Sequence, residues 1–171
     1  MPFTPYHLGP ALLFGVILFP FVDITALLLS SVLVDVEPLY VIMFAPGLPY
    51  HGILHTYVGA TGIAILNAVI VWFLRDWTRQ ILAIFKIDQN SSFIRIFGIS
   101  LLGTYSHVLL DSFLYPEMNP FFPLMGNPFL GLVSSAVVYQ FCTICLFLGL
   151  VLYSVRFLAI PAVRKFNTSE T

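Results

Sequence analysis

The sequence predicts an all-α, polytopic membrane bundle of four to five apolar helical segments, and three observations predict it. Of 171 residues, 59% are hydrophobic and 9% charged, against about a quarter charged in a soluble domain, and mean hydropathy is +0.97. Several apolar runs approach the roughly 20 residues that cross about 30 Å of hydrocarbon. The basic residues collect in short stretches beside those runs. A soluble globular domain is excluded. A net charge of −1 lacks the cationic surplus that phosphate backbones require, so no nucleic-acid partner is expected.

The opening MPFTPYHLGP has no basic region before its apolar stretch and does not read as a cleaved signal. Residues 8–22 and 24–34 are two shorter runs split by Pro20 and Asp23. Each would rise only about 15–22 Å as a helix, so a hairpin that spans imperfectly or re-enters is expected. Asp23 reads as a turn or N-cap residue. Residues 36–51 are expected as an outer connection. The clearest crossings are 52–74, about 96–114 and about 129–154, joined by a polar linker at 75–92 and a proline-rich loop, YPEMNPFFPLMGNP, at 115–128. Residues 1–166 are expected to form one integral membrane domain, and 167–171 a polar, disordered tail.

Arg75, Arg79, Lys86 and Arg95 flank the 75–95 stretch, and Arg164 and Lys165 mark the tail. The positive-inside rule puts both on the cytoplasmic side of the cell (inner or plasma) membrane, and 36–51 and 115–128 on the outer side.

Against this apolar background the polar residues stand out. The four histidines are His7, His51, His55 and His107, and the same segments carry Asp35, Glu37 and Asp111. A mid-bilayer carboxylate costs about 2.5–3.5 kcal/mol even on the gentler insertion scale, so something must offset it. His51 and His55 are four apart, as are His107 and Asp111; on helices each pair shares one face and could grip one ion. Neutral imidazoles with carboxylates form the N/O ligand set of zinc or a similar divalent metal. His7, Asp35 and Glu37 reach the same level if the first two runs form a hairpin.

Seven candidates exceed the four ligands of one zinc. The surplus fits either more than one ion about 3.5–4 Å apart or carboxylates that orient imidazoles. The chemistry implied is hydrolysis by a metal-activated water, with Glu37 or Asp111, whichever is off the metal, as general base. Cys142 and Cys145, with no further cysteine or following histidine, read as core packing. Phe121 and Phe122 read as interfacial anchors or as a roof over the site, and Arg75 with Trp77 as a snorkelling and aromatic-belt pair.

The order PFTPYHLGP, LVDVEP, HGILHT and SHVLLDSFLYP, followed by FFPL, resembles the YdjM-like family of membrane-bound, metal-dependent hydrolases over nearly the whole chain. That resemblance implies a small multi-helix inner-membrane protein whose metal ligands are His7, Asp35, His51, His55, His107 and Asp111, with Glu37 where the family often has a second aspartate. Gly52 stands where many relatives have arginine, and Tyr57 departs from their serine-containing pattern. The family also looks distantly like the zinc-dependent phospholipase C and single-strand nuclease group, which favours a phosphoester.

The expected function is therefore membrane-embedded hydrolysis of a lipid-like ester or phosphoester, with membrane lipid as partner and substrate source and the site toward the outer face. A metal or proton transporter would need polar residues continuing inward, where the sequence offers little beyond Asn67 and Ser100. A scaffold with a structural metal would have a closed coordination sphere.

Overall fold

The computed structural model describes residues 5–159; Arg164, Lys165 and the tail expected at 167–171 lie outside the described residues. A single 3-10 turn, Pro5–His7, leads into α1 (Leu8–Ile17), followed by α2 (Ile24–Leu33) and α3 (Val36–Phe44). A second 3-10 turn, Ile53–His55, precedes α4 (Tyr57–Ile84), α5 (Phe93–Ser112) and α6 (Ser135–Tyr153). Four helical stretches are long and apolar enough to cross a membrane, 24–44, 57–84, 93–112 and 135–157, and α1 is a shorter apolar helix. The all-α membrane bundle expected from composition is therefore present.

Small polar residues set where the longer helices start. Asp23, Thr56, Ser92 and Ser134 cap α2, α4, α5 and α6, each side chain accepting from a backbone N–H three residues on. Several boundaries differ from the sequence reading: α4 starts at Tyr57 and not at 52, and α6 at Ser135 and not at about 129. The stretch 75–92 is not all linker, because RDWTRQILAI contains neither glycine nor proline and α4 runs to Ile84. It stops only where Lys86 adopts a left-handed conformation, φ 60°, and the Ile87 N–H bonds back to the Leu82 carbonyl. Nor is 36–51 all loop. Pro38 falls in the first turn of α3, where its missing N–H costs nothing, so the rod begun by α2 continues to Phe44 with Asp35 near its middle.

In the bundle α2 packs between α1 on one side and α4 and α5 on the other, while α6 rests on α1. In lipid, apolar surface alone does not drive helices together; close packing and interhelical hydrogen bonds do. A Cβ on Gly9 would collide with the Cys142 carbonyl, and one on Gly103 with Ser30 Oγ, so both glycines permit backbone-close crossings. Asn67 Nδ2 bridges the Ala26 carbonyl (3.1 Å) and Ser100 Oγ (2.8 Å), joining α4, α2 and α5. Cys142 and Cys145 are buried packing residues, as expected. Arg75 lies over the Trp72 ring at 4.0 Å rather than pairing with Trp77.

One end of the bundle is latched by polar side chains. Gln89 accepts from Ile24 N and donates to the Pro20 and Val22 carbonyls. The Arg156 guanidinium donates to the carbonyls of Val16 and Phe19, where α1 ends. At the other end the 113–134 connection is tied to the helix ends, the Tyr57 N–H donating to the Pro120 carbonyl and Asn127 Nδ2 to the Ser112 carbonyl.

These close crossings give a stability test. Gly9→Val should destabilise by about 1–3 kcal/mol, because the atom it meets is backbone and cannot swing away. Gly98→Ala, which has open space around its new Cβ, should change stability by less than about 0.5 kcal/mol or raise it slightly. Denaturant unfolding in detergent micelles compares the two.

Candidate metal centre

Three segments bring the site together. Asp35 sits at the α2–α3 junction, His55 in the turn before α4, and His107 and Asp111 one helical turn apart on α5. One ligand atom from each of these four buried residues lies within 4.8 Å of all the others. His107 Nε2 is 3.1 Å from Asp111 Oδ2 and 3.5 Å from Asp35 Oδ1. His55 Nε2 is 3.7 Å and 4.0 Å from the same two carboxylates. Ligands about 2.0–2.1 Å from a tetrahedral zinc lie about 3.3–3.4 Å apart, so these separations bracket the edge of such a tetrahedron.

Tautomers can be assigned from the partners. His107 Nδ1 lies 2.7 Å from the Ser31 carbonyl, which can only accept, so Nδ1 carries the proton. His55 Nδ1 lies 2.8 Å from Glu37 Oε2 and donates likewise. In its neutral form each ring therefore presents its Nε2 lone pair to the carboxylates, and His55 Nε2, His107 Nε2 and Asp35 Oδ1 have no hydrogen-bond partner among the described residues. Lone pairs facing one another in a buried site repel; a shared cation converts that repulsion into coordination. Burial holds the His55 imidazole below its ordinary pKa, against the opposing pull of Glu37, which keeps that lone pair free for a metal.

The remaining candidates surround these four. His7 Nε2 is 3.1 Å from Asp111 Oδ1 and its ring is 4.0 Å from His107; burial and the nearby His107 lower its pKa as well. His51 is buried, its ring 4.7 Å from His55 and 3.9 Å from Tyr115, with Nδ1 at 2.8 Å from Glu117 Oε1. His7 Nδ1 and His51 Nε2 also lack partners among the described residues. His51 and His55 do not share an α-helical face. Residues 50–52 are non-helical and His55 ends a 3-10 turn, because α4 starts only after the Thr56 cap.

Glu37 sits on the Nδ1 side of His55, away from the Nε2 edge that faces the cluster. Its two oxygens accept from the backbone N–H groups of Gly52, Leu54 and His55 and from His55 Nδ1. Four donors fix the carboxylate as the clamp of the 52–55 turn, so its place is to orient His55 and not to contact a reacting group. Glu117, which holds His51, was missed by the sequence reading. Its signal was present as the one acid in an otherwise uncharged proline-rich loop. A cleft of about 180 Å³ lined by His51, Gly52, Thr56, Glu117 and Asn119 opens beside this pair.

The clamp yields a second test. Glu37→Gln keeps the shape but leaves the amide nitrogen facing backbone donors, so the turn loosens and metal affinity should fall about 10–100-fold with helix content unchanged. Competition titration against a chromogenic chelator measures the affinity, and circular dichroism the fold.

No family model, no curated protein and no solved structure matches this chain.

Proposed function

We propose that this chain is a membrane-embedded, metal-dependent hydrolase of the YdjM-like kind, acting on a lipid-like ester and first of all on a phospholipid-type phosphoester. The observation that carries the proposal is the convergence of Asp35, His55, His107 and Asp111, two imidazoles and two carboxylates with unshared electron pairs meeting in a buried pocket. That donor set suits zinc, with Asp35, His55 and His107 as the three protein ligands of a catalytic site and Asp111 beside the position left open to water. When bound, a divalent ion supplies an acidified water and a Lewis acid for a carbonyl or phosphoryl oxygen.

The chain's own residues do the rest. Glu37 and the Ser31 carbonyl fix the two imidazoles through Nδ1. Asp111 keeps Oδ2 toward the cluster and Oδ1 on His7 Nε2, and is the carboxylate placed to take a proton from the attacking water. His51 and Glu117 line the cleft nearest the cluster, the His51 ring lying 4.7 Å from that of His55, and it is the approach we assign to water and a polar head group. The basic residues Arg75, Arg79 and Lys86 at the opposite end support, by the positive-inside rule, a cytoplasmic position for that end and an outward-facing metal centre.

A conduit is less well supported. Below the cluster Ser30, Ser31 and Thr104 donate to carbonyls of their own helices, and Ser100 and Asn67 bind each other. These are helix-to-helix and back-bonding contacts, which suits a blind-ended site.

The test is hydrolysis in proteoliposomes of phosphatidylethanolamine and phosphatidylglycerol. Lipid products identified by mass spectrometry should appear with zinc present, vanish with chelator and return on adding zinc. Stoichiometric metal with no product across a wider lipid panel would overturn the hydrolase reading in favour of a structural metal.

A further inference from the structure

A further cavity lies among α1, α2, α5 and α6. Because α6 rests on α1 and makes no comparable seam with α5, the two long helices diverge and leave a groove of about 350 Å³ floored by α1 and α2. Its walls include Pro10, Phe14, Leu27, Leu109, Leu110 and Phe141. It carries no ionisable side chain, and its single hydroxyl, Ser106, is engaged with the Gly103 carbonyl. A neighbouring trough shares Leu102, Ser106 and Leu109 and continues to Tyr57 and Phe121. The shared residues fall at i, i+4 and i+7, one stripe of α5.

We propose that this groove holds an acyl chain of the lipid that the metal centre acts on; the inference rests on the hydrolase reading above and specifies its substrate as acyl-bearing. Three observations choose this occupant. The groove lies within the membrane-spanning stretches of α5 and α6, where hydrocarbon is the surrounding solvent. A lining without charge or free hydrogen-bonding groups rejects head groups and polar peptides. The third observation is position. Pro10 lies three residues from His7 on α1, and Leu110 directly precedes Asp111 on α5, so the groove walls run into the segments that carry the His7–Asp111 pair. The cleft beside His51 and Glu117 carries polar side chains among its walls, Thr56 and Asn119 with them, whereas the groove beside Leu109 and Phe141 carries only the engaged Ser106. A lipid with its linkage at the metal would have its head group in the first and its chain in the second.

Photo-crosslinking tests this without requiring turnover. The protein is placed in phosphatidylethanolamine/phosphatidylglycerol vesicles containing a trace of diacyl phosphatidylglycerol with a diazirine midway along one chain, irradiated and mapped by peptide mass spectrometry. Adducts should concentrate on the 102–110 and 10–18 segments. Ser106→Phe and, independently, Leu102→Trp should lower that yield at least fivefold while metal content stays at the wild-type value. Ile144→Phe, on the exposed face of α6, should leave it unchanged. Adducts spread evenly over all lipid-facing helices, or a yield that neither filled variant lowers, would overturn the groove. Focused adducts without lipid hydrolysis would remove the hydrolase reading and leave the groove standing, whereas hydrolysis with dispersed adducts would do the reverse.

Discussion

Removing two imidazoles should empty the metal centre. Wild-type protein purified without chelator should carry about one divalent ion per chain in the four-residue cluster, and the His55→Ala/His107→Ala variant should carry none above background. Both changes delete lone pairs that point into the cluster and leave two carboxylates, which hold zinc far less well than the mixed set. The loss should exceed the 10–100-fold expected when only an orienting partner is removed. Stability gives an independent readout. An ion that binds the folded chain at 100 times its dissociation constant adds about 2.7 kcal/mol, so zinc should raise the wild-type unfolding midpoint and leave that of the double variant unmoved. Elemental analysis and metal-dependent unfolding check the two halves separately. Metal retained by the variant at wild-type stoichiometry would refute the assignment.

The residues of this centre were legible in the sequence for an energetic reason. Asp35, His55, His107 and Asp111 are costly in lipid, and no lysine or arginine lies within 15 residues of either carboxylate to offset it. The i, i+4 spacing of His107 and Asp111 translated directly into geometry because α5 is a regular helix. For His51 and His55 the same spacing misled, since they come together through a non-helical turn that Glu37 holds from outside. Glu37 was visible as a residue and not as a clamp, because its partners are backbone groups 15 to 18 positions away, which no local pattern encodes. The continuation of α2 into α3 was hidden by the same feature that marked the site: Asp-x-Glu-Pro reads as a break, yet a proline in the first turn does not break a helix. Glu117 was obscured by its loop, whose prolines signal irregular backbone and say nothing of where a carboxylate points.

Asp111→Asn separates ligation from proton transfer, and its effect on turnover should be the largest of any near-isosteric change in the chain. The amide retains an oxygen that can accept from His7 Nε2, now 3.1 Å from Oδ1, so the His7 contact and the fold should survive. Two things are lost: a negative charge beside His107 Nε2 and His55 Nε2, and the capacity to accept a proton. The first weakens metal binding and can be made good by raising free zinc until occupancy matches wild type. The second cannot. At matched occupancy lipid hydrolysis should therefore remain about 10²–10⁴-fold down, the usual contribution of a positioned general base, with the loss in kcat rather than KM because ground-state contacts to the lipid are untouched. Full recovery of kcat at saturating zinc would make Asp111 a ligand alone and would move the proton-accepting role to Asp35, the other carboxylate facing the cluster. His7→Gln provides the intermediate case. It loses the imidazole on Oδ1 but leaves both Asp111 oxygens ionised, so kcat should fall less than in Asp111→Asn while zinc content holds.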